Sequence, residues 1–414
     1  MTAEQQGALD VWLGGRVVAE LTMHSRRGPK LQYLPEYVDQ RGEGTLGLTV
    51  PLPVAARPYR GDLVDRWIEG LLPEGETRTV LERYFRVRRG DGYALLSALG
   101  RDCAGAVAVV PAGEPLDEPG AGPRAMSASD VANAVSALRQ HPLGVDEETR
   151  VSLGGLQSKL LLVRTQDGWA RPLAGVPSTH ILKPDPPQFP GLAVAEAFAQ
   201  RAAVLAGLSA AEATLDSFGG RTVLVVRRFD RVDSNGRLRR IHQEDGCQAL
   251  GVDPAFGKYQ TLDGAASYRK LAAVLDGYTA DAPGELSKLA AMMAFTIAIG
   301  NTDAHLRNHA FLHSGAALSL APVYDAAPTV EFASTRQLAL WVDGQALLAA
   351  VTRGHLLREM TAWGLPADEG EAVLDSTLTS LLRAYPQAAL ETPGVRATTI
   401  DACTARTERL LRAS

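Results

Sequence analysis

Gly300-Asn-Thr-Asp-Ala-His-Leu-Arg-Asn308 follows directly on an apolar segment that runs from residue 289 to residue 299. An apolar segment of this length is too short to cross a bilayer and is typical of a buried helix. We therefore expect residues 300–308 to form a polar loop attached to a rigid element, which is where catalytic groups commonly lie.

The residues after this loop predict a hairpin. They read His-Ala-Phe-Leu-His-Ser-Gly-Ala-Ala-Leu-Ser-Leu-Ala-Pro-Val-Tyr-Asp over residues 309–325, with a turn expected at Ser314-Gly315. Because an antiparallel hairpin returns its end to its beginning, Asn308 and Asp325 are predicted to be neighbours, with Asp303 one loop away. Two carboxylates and an amide that converge through oxygen suit a hard divalent cation, with one carboxylate left free as a base.

The same three residues match the requirements of phosphoryl transfer. In protein kinases a catalytic-loop Asp accepts the hydroxyl proton, an Asn five residues later binds Mg²⁺, and a second Asp binds Mg²⁺ as well. Asp303 and Asn308 have this spacing, and Asp325 is placed as the second Asp. The alternative is an ordinary polar turn with a capping Asp and a left-handed Asn.

A nucleotide site also needs a phosphate-binding loop, and the candidate is Val151-Ser-Leu-Gly-Gly-Leu-Gln-Ser-Lys159. Its two glycines let the backbone approach an anion closely, although the segment matches neither the Walker A nor the GxGxxG pattern. An ordinary hairpin loop is the alternative. Only six of the 42 basic residues are lysines, and two of them, Lys159 and Lys183, flank this pocket. A compact ammonium group suits a point contact with phosphate, and a solvated surface charge is the alternative for Lys183.

The segment Arg240-Ile-His-Gln-Glu-Asp-Gly-Cys-Gln-Ala-Leu250 is predicted to join a strand-rich part of the chain to a helical part. In a kinase-like arrangement the base of the nucleotide pairs with such a connector, so Gln243 and Glu244 are candidate base contacts. The alternative is a helix N-cap box at Asp245.

The N-terminal part of the chain is expected to be a separate unit. Residues 1–110 mix short strands and helices, with a hairpin at Gly14-Gly15 and a helix capped by Asp62. Residues 111–129 are predicted to be a linker, because they begin with four Pro and three Gly in thirteen residues.

The remainder divides into two lobes. Residues 130–241 are predicted to form a strand-rich lobe, and residues 242–414 a helical lobe in which strands nearly vanish. Helices are expected there over residues 265–275, 285–299, 344–353 and 367–383. The predicted fold class is therefore α+β, with a cleft between the lobes.

Composition and charge exclude several classes of protein. The 414 residues are 46% hydrophobic and 21% charged, which is ordinary globular usage, and the length favours two or three packed units. A net charge of −5 gives no global electrostatic footprint for nucleic acid or an anionic membrane. Three distant cysteines form neither a disulfide framework nor a zinc site, and the start shows no signal-peptide pattern. A cytoplasmic protein without membrane contact is expected.

Together the motifs resemble those of the HipA family of bacterial toxin kinases over nearly the whole chain. The resemblance implies a bilobed protein-kinase-like fold with an extra N-terminal α/β subdomain, and transfer of phosphate from Mg-ATP to a protein Ser or Thr. Each motif is modest alone, but eight in the expected order are a strong signal. They are Leu71-Leu-Pro-Glu-Gly75, residues 96–105, residues 152–159, His180-Ile-Leu-Lys-Pro184, Arg228-Phe-Asp-Arg231, Ile241-His-Gln-Glu-Asp245, residues 300–308 and Pro322-Val-Tyr-Asp325.

The resemblance also implies roles for individual residues. Asp303 would be the general base, Asn308 and Asp325 the Mg²⁺ ligands, and Lys183 the lysine that binds the nucleotide phosphates. Ser152 would be autophosphorylated to eject its loop and silence the enzyme, since its phosphate would repel those of ATP; a hydrogen bond within the turn is the alternative. The other implied nucleotide contacts are Leu153, Gly154, Gly155, Leu156, Gln157, Ser158 and Lys159 at the phosphates, His242, Gln243, Glu244 and Asp245 at the adenine, and His305.

The family likeness further implies partners. Such toxins are held by a small helix-turn-helix antitoxin that binds operator DNA, so a HipB-like partner is expected, with DNA contacted only through it. Family targets include aminoacyl-tRNA synthetases, notably the glutamyl enzyme. Arg307 departs from the family, in which Lys is frequent, and this puts a direct phosphate role there in doubt. Glu196 is a candidate partner for Lys183, by analogy with the Lys–Glu pair of kinases.

Two other functions fit the same features. A small-molecule phosphotransferase would share the Asp…Asn…Asp arrangement. A non-catalytic co-repressor would strengthen an antitoxin's hold on DNA and would need no ATP turnover.

Overall fold

The N-terminal unit is a five-stranded antiparallel sheet. The computed structural model describes residues 7–116, 122–146, 149–155, 157–173, 175–234, 237–262, 264–333 and 335–412. The predicted turn at Gly14-Gly15 joins the first two strands, and both glycines adopt the positive φ that such a turn requires. The strands are β1 (Leu9–Leu13), β2 (Arg16–His24), β3 (Gly28–Tyr33), β4 (Tyr59–Arg60) and β5 (Val107–Pro111), in the spatial order β4-β3-β2-β1-β5.

Four helices belong to this unit: α1 (Pro35–Arg41), α2 (Asp62–Leu71), α3 (Gly75–Tyr84) and α4 (Gly92–Leu99). Helix α2 buries Val64, Trp67 and Ile68 in the core of the unit, because these residues recur at helical spacing on one face. The expected cap at Asp62 is wrong, since Gly61 is the N-cap and Asp62 is the first helical residue. Residues 70–75, where α2 ends and α3 begins, are called the α2–α3 corner below.

The middle of the chain forms a six-stranded antiparallel sheet. Its elements are β6 (Arg124–Met126), α5 (Ala128–Ser136), β7 (Leu160–Thr165), β8 (Gly168–Arg171), β9 (His180–Pro184), α6 (Leu192–Leu205), β10 (Ala213–Phe218) and β11 (Arg221–Arg227), followed by the hairpin β12 (Arg231–Ser234) and β13 (Arg237–Arg240). The spatial order of the strands is β10-β11-β9-β7-β8-β6. The edge strand β6 falls within the segment expected to be a linker, where it pairs with β8. Helix α6 packs against β10 and β11.

The C-terminal part is mainly helical, and α9 is its central element, with Phe295 and Ile297 fully buried. Three of the predicted helices correspond to α8, α9 and α11. The helices are α7 (Gly246–Leu250), α8 (Tyr268–Tyr278), α9 (Ala282–Ile299), α10 (Arg353–Ala362), α11 (Ala367–Glu391) and α12 (Ala397–Arg412). The strands are β14 (Gln243–Asp245), β15 (Ala310–Ser314), β16 (Ala317–Leu320), β17 (Gln337–Val342) and β18 (Gln345–Leu347), so the expectation that strands nearly vanish here was too strong.

The helix predicted over residues 344–353 is wrong. Asp343 and Gly344 both have positive φ and form the two-residue turn between β17 and β18, which stops any helix at this point. A short 3₁₀ turn follows, and α10 begins only at Arg353.

The core of the N-terminal unit continues into the middle of the chain, since Val151 and Leu161 pack in the same buried cluster as the five-stranded sheet. The division at residues 110, 129 and 241 stays a prediction. None of the helices in the described part of the chain is long and apolar enough to cross a membrane.

Candidate active site

The polar loop after α9 is present as predicted. Gly300 ends the helix in a left-handed conformation, which a glycine adopts without steric cost. The backbone N–H of Asp303 then donates to Oδ1 of Asn301 at 3.0 Å, and that of Thr302 to Oγ1 of Thr329 at 2.7 Å. These bonds fix the course of the loop up to a 3₁₀ turn at Leu306–Asn308. We call residues 300–308 the catalytic loop.

The hairpin brings Asn308 and Asp325 together, which confirms the predicted contact. Strands β15 and β16 pair antiparallel, and Nδ2 of Asn308 donates to Oδ2 of Asp325 at 2.9 Å. Asp325 has a φ of 55°, a left-handed conformation that Asp tolerates better than most residues.

Lys183 joins this pair from the six-stranded sheet. Its Nζ lies 2.8 Å from Oε1 of Glu196 on α6 and also binds Oδ1 of Asp325, so the suggested Lys183–Glu196 partnership exists. Desolvation alone would raise the pKa of Asp325, but the ammonium groups of Lys183 and Lys159 outweigh it and lower that pKa to about 2. Lys183, Glu196, Asn308 and Asp325 are called the Lys183 cluster below.

Asp303 stands beside the Lys183 cluster and remains open to solvent. Desolvation by the surrounding protein and the neighbouring Asp325 carboxylate raise the pKa of Asp303 to about 6, although Lys258 and Tyr259 oppose the change. The hydroxyl of Tyr259 donates to Oδ1 of Asp303 at 3.3 Å. A carboxylate with a pKa near 6 is well matched to a general base at neutral pH.

The predicted phosphate-binding loop lies against the same cluster. Nζ of Lys159 donates to the carbonyl oxygen of Gly154, and desolvation together with Lys183 lowers the pKa of Lys159 to about 8. Gly155 has a φ of 108°, which residues with a side chain rarely adopt, so the loop favours a glycine there. Leu153 packs on the N-terminal core, Gln157 and Ser158 are half-buried, and Leu156 lies outside the described residues.

Ser152 is fully buried at the base of this loop. Its Oγ donates to the carbonyl oxygen of Leu71 in the α2–α3 corner at 2.6 Å, and its N–H donates to the carbonyl oxygen of Asp102 at 2.9 Å. The hydroxyl is therefore hydrogen-bonded, but its partner lies in the N-terminal unit and not within the turn, as the alternative had it.

The connector residues contact the N-terminal unit. Glu244 is fully buried and accepts from the N–H of Val50, and His242 Nε2 lies 2.8 Å from the carbonyl oxygen of Leu48. The backbone of Gln243 packs against Gly105, where a Cβ would meet its nitrogen at 2.6 Å. The strand β14 that carries Gln243 and Glu244 pairs with β15. A contact of the connector backbone with the base of the nucleotide stays a prediction.

Asp245 fulfils the alternative that the sequence offered. Its carboxylate accepts from the N–H of Gln248 at 2.9 Å, and the Gln248 side chain returns to the N–H of Asp245 at 3.0 Å. This reciprocal pair is the capping box of α7.

Arg307 is a buried connection between units. Its guanidinium binds the carboxylate of Glu74, the carboxylate of Asp245 at 3.1 Å and the carbonyl oxygen of Gly70 at 2.9 Å. The guanidinium of Arg307 is therefore already bound by protein groups, which agrees with the doubt that Arg307 contacts phosphate directly.

Glu74, Lys258 and Tyr259 also lie at this site, although no sequence motif had indicated a role for them. Nζ of Lys258 binds Glu74 Oε2 at 2.6 Å, and the hydroxyl of Tyr259 donates to Asp303. Two signals were available: Glu74 lies in the family-like motif Leu71-Leu-Pro-Glu-Gly75, and Lys258 is one of only six lysines. Neither signal shows that Glu74 and Lys258 lie beside the catalytic loop.

The donor set fits a magnesium ion better than a softer metal. Asn308 and Asp325 would offer oxygen ligands, as Mg²⁺ prefers. The described residues contain no group of three His, Cys, Asp or Glu side chains that could hold a metal by themselves. Within the same residues His305 Nδ1 is buried without a hydrogen-bond partner and is free for a bound group.

A lysine on an antiparallel sheet that pairs with a glutamate on a helix, together with an Asp…Asn…Asp arrangement from the helical part, defines an α+β kinase-like fold. The family model of the HipA-like C-terminal domain matches residues 151–385, and that of the HipA N-terminal domain matches residues 9–110. The chain belongs to the HipA family.

Relatives and solved structures agree with this assignment. A putative kinase of Sinorhizobium fredii is 36% identical over 330 residues, which are 78% of each chain. The serine/threonine-protein kinase toxin HipA of Shewanella oneidensis is 28% identical over 410 residues, 94% of this chain and 90% of the toxin. A solved complex of Shewanella oneidensis HipA with HipB and operator DNA contains a chain that matches with a TM-score of 0.83 and 26% identity, over 97% of each chain.

Proposed function

We propose that this protein is a serine/threonine protein kinase of the toxin type, which transfers the γ-phosphate of ATP to a protein hydroxyl. The observation that carries the proposal is the Lys183 cluster with Asp303 beside it. A buried Lys–Glu pair, an Asn–Asp pair and a carboxylate of raised pKa together make up the protein's part in phosphoryl transfer.

Each residue has a definite task in this proposal. Asp303 accepts the proton of the attacking hydroxyl, and Tyr259 orients its carboxylate. Lys183, held by Glu196, binds the phosphates, while the loop 153–159 places backbone N–H groups and Lys159 next to them. Asn308 and Asp325 would hold Mg²⁺, which would supply charge neutralisation at the transferred phosphoryl group.

Regulation and partners are proposed by likeness to the family. Autophosphorylation of Ser152 would require the loop to leave its place, because the hydroxyl is fully buried and bonded to Leu71. The match to a HipA–HipB–operator complex supports a HipB-like antitoxin as a partner, with DNA bound through it. An aminoacyl-tRNA synthetase such as the glutamyl enzyme is the proposed protein substrate, in the cytoplasm.

The test is the intact mass of the purified, phosphatase-treated protein before and after incubation with Mg-ATP. The wild type is expected to gain a phosphate on Ser152, and Asp303→Asn is expected to gain none while its circular dichroism is unchanged. Asn308→Ala and Asp325→Ala should lose the Mg²⁺-dependent transfer. A phosphate gained by Asp303→Asn at the wild-type rate would refute the assignment of the base.

A further inference from the structure

We propose that Glu74, in the α2–α3 corner of the N-terminal unit, is a positioning residue that holds the catalytic loop in place for phosphoryl transfer. The inference rests on the proposed kinase function and extends it to a residue outside the two lobes. It makes the N-terminal unit a working part of the active site.

The carboxylate of Glu74 binds two buried cations that belong to different segments of the chain. Oε1 of Glu74 binds Nη1 of Arg307, and Oε2 lies 2.6 Å from Nζ of Lys258. The side chains of Glu74, Arg307 and Lys258 are 15%, 7% and 5% exposed, so little water shares these contacts. A charge-assisted pair shielded in this way is strong and directional.

The two cations belong to the two segments that surround Asp303. Arg307 belongs to the catalytic loop itself, between Asp303 and Asn308. Lys258 belongs to a segment that lies across the loop, because its carbonyl oxygen accepts from the N–H of Leu306 at 3.1 Å. The next residue, Tyr259, contacts the Asp303 carboxylate. Glu74 therefore connects both segments that determine where Asp303 lies.

The α2–α3 corner also holds the phosphate-binding loop. The carbonyl oxygen of Gly70 binds Arg307, and that of Leu71 accepts from Ser152. Gly154 lies so close to Arg307 that a Cβ on it would collide with the guanidinium. The α2–α3 corner thus fixes the catalytic loop, the segment over it and the base of the phosphate loop.

Neutralising Glu74 should therefore disturb geometry and leave the fold intact. Lys258 would lose its carboxylate partner and Arg307 would lose one of its two, so both side chains would rearrange and the catalytic loop would shift. Small displacements of a catalytic group reduce the rate strongly, while substrate binding depends less on them. Glu74 is the N-cap residue of α3 but makes no side-chain capping bond, so its replacement removes no cap.

The experiment compares Glu74→Gln with Glu76→Gln, an exposed glutamate two residues away in the first turn of α3. Initial rates of phosphate transfer from Mg-ATP to dephosphorylated casein are measured over a range of ATP concentrations. We expect Glu74→Gln to lower kcat about tenfold or more with KM for ATP within about twofold of the wild type, and Glu76→Gln to change neither. In Glu74→Gln/Lys258→Met the loss should be smaller than the product of the two single losses, because the double variant no longer contains the buried Lys258 ammonium that Glu74→Gln deprives of its carboxylate.

Amide hydrogen exchange provides a readout that does not depend on transfer. In Glu74→Gln, exchange should become faster at residues 258–260 and 301–309 and stay unchanged in α2 and α9. Wild-type kcat in Glu74→Gln, unchanged exchange in those two segments, or faster exchange throughout the chain would each overturn the inference. A wild-type protein that transfers no phosphate would refute the proposed kinase, and the exchange comparison would still decide the role of Glu74.

Discussion

At the scale of single residues, the ionisation of Asp303 sets the expected pH dependence of transfer. The pKa of Asp303 is raised to about 6 by desolvation and by Asp325. Only the ionised carboxylate can accept a proton, so kcat/KM, which reports the free enzyme, should fall as the pH decreases through about 6. The hydrogen bond from Tyr259 lowers this pKa, so Tyr259→Phe should move the acidic limb to higher pH.

The matched control is Tyr278→Phe, since both tyrosines are 39% exposed. Rate profiles between about pH 5 and pH 9 at low Mg-ATP measure the limb. A limb that stays in place or moves to lower pH in Tyr259→Phe would contradict the contact as described.

The residues that sequence alone could predict are those connected by local geometry. Asp303 and Asn308 are five residues apart, and a hairpin returns Asp325 to Asn308, so spacing and a turn signal were sufficient. Glu74 meets Arg307 across 233 positions and Lys258 across 184 positions. No periodicity reports such a contact, because it depends on how separately formed units pack.

At the scale of elements, the contact between the phosphate loop and the catalytic loop has a direct test in Gly154→Ala. The added Cβ would collide with the Arg307 guanidinium, so that buried side chain or one of the two loops must shift. We expect a loss of transfer of about tenfold or more and a loss of unfolding free energy of about 0.5–3 kcal/mol, since the guanidinium is held by Glu74 and Asp245.

The control for that variant is Gly122→Ala, because nothing lies within 4 Å of a Cβ there and its φ is not in the left-handed region. Transfer rates and denaturant unfolding of both variants are the measurements. Full activity in Gly154→Ala would show that the close approach of the two loops is not needed.

Helices and strands were predictable where the hydrophobic pattern and the turn or cap residues indicated the same element. Gly300 is the C-cap of helix α9, and the apolar run before this glycine is typical of a buried helix. The run Gln345-Ala-Leu-Leu-Ala-Ala350 also has good helix formers, but the Asp343-Gly344 turn before it starts a strand, and the turn signal should have outweighed the propensity.

At the scale of the whole molecule, a buried ionic cluster joins the N-terminal unit to the strand-rich part. Asp102 precedes β5, and its carboxylate lies 2.8 Å from Arg231 and accepts from Ser178 Oγ at 2.6 Å. Arg228 pairs with Asp230 at 2.8 Å and donates to the carbonyl oxygen of Cys103 at 2.9 Å. All four charged residues are at most 3% exposed. The sequence showed these residues only as two separate family-like motifs, because their meeting depends on the packing of one unit on the other.

Removing one partner from this cluster should be costly, since the remaining buried cations lose their counter-charge. We expect Asp102→Asn to lower the free energy of unfolding by about 3–5 kcal/mol at neutral pH. Asp39→Asn, at an exposed position in α1, should change it by less than about 0.5 kcal/mol.

Desolvation alone would raise the pKa of Asp102, but Arg231 and Arg228 outweigh it and lower that pKa. A carboxyl with a lowered folded-state pKa stabilises the protein above its unfolded pKa of about 4, and this contribution is lost as the pH falls through the folded pKa. The difference in stability between wild type and Asp102→Asn should therefore be constant from neutral pH down to about pH 4 and shrink below it. Denaturant titrations of both proteins over this range measure the difference, and one that grew towards acid pH would mean that Asp102 is protonated in the folded protein.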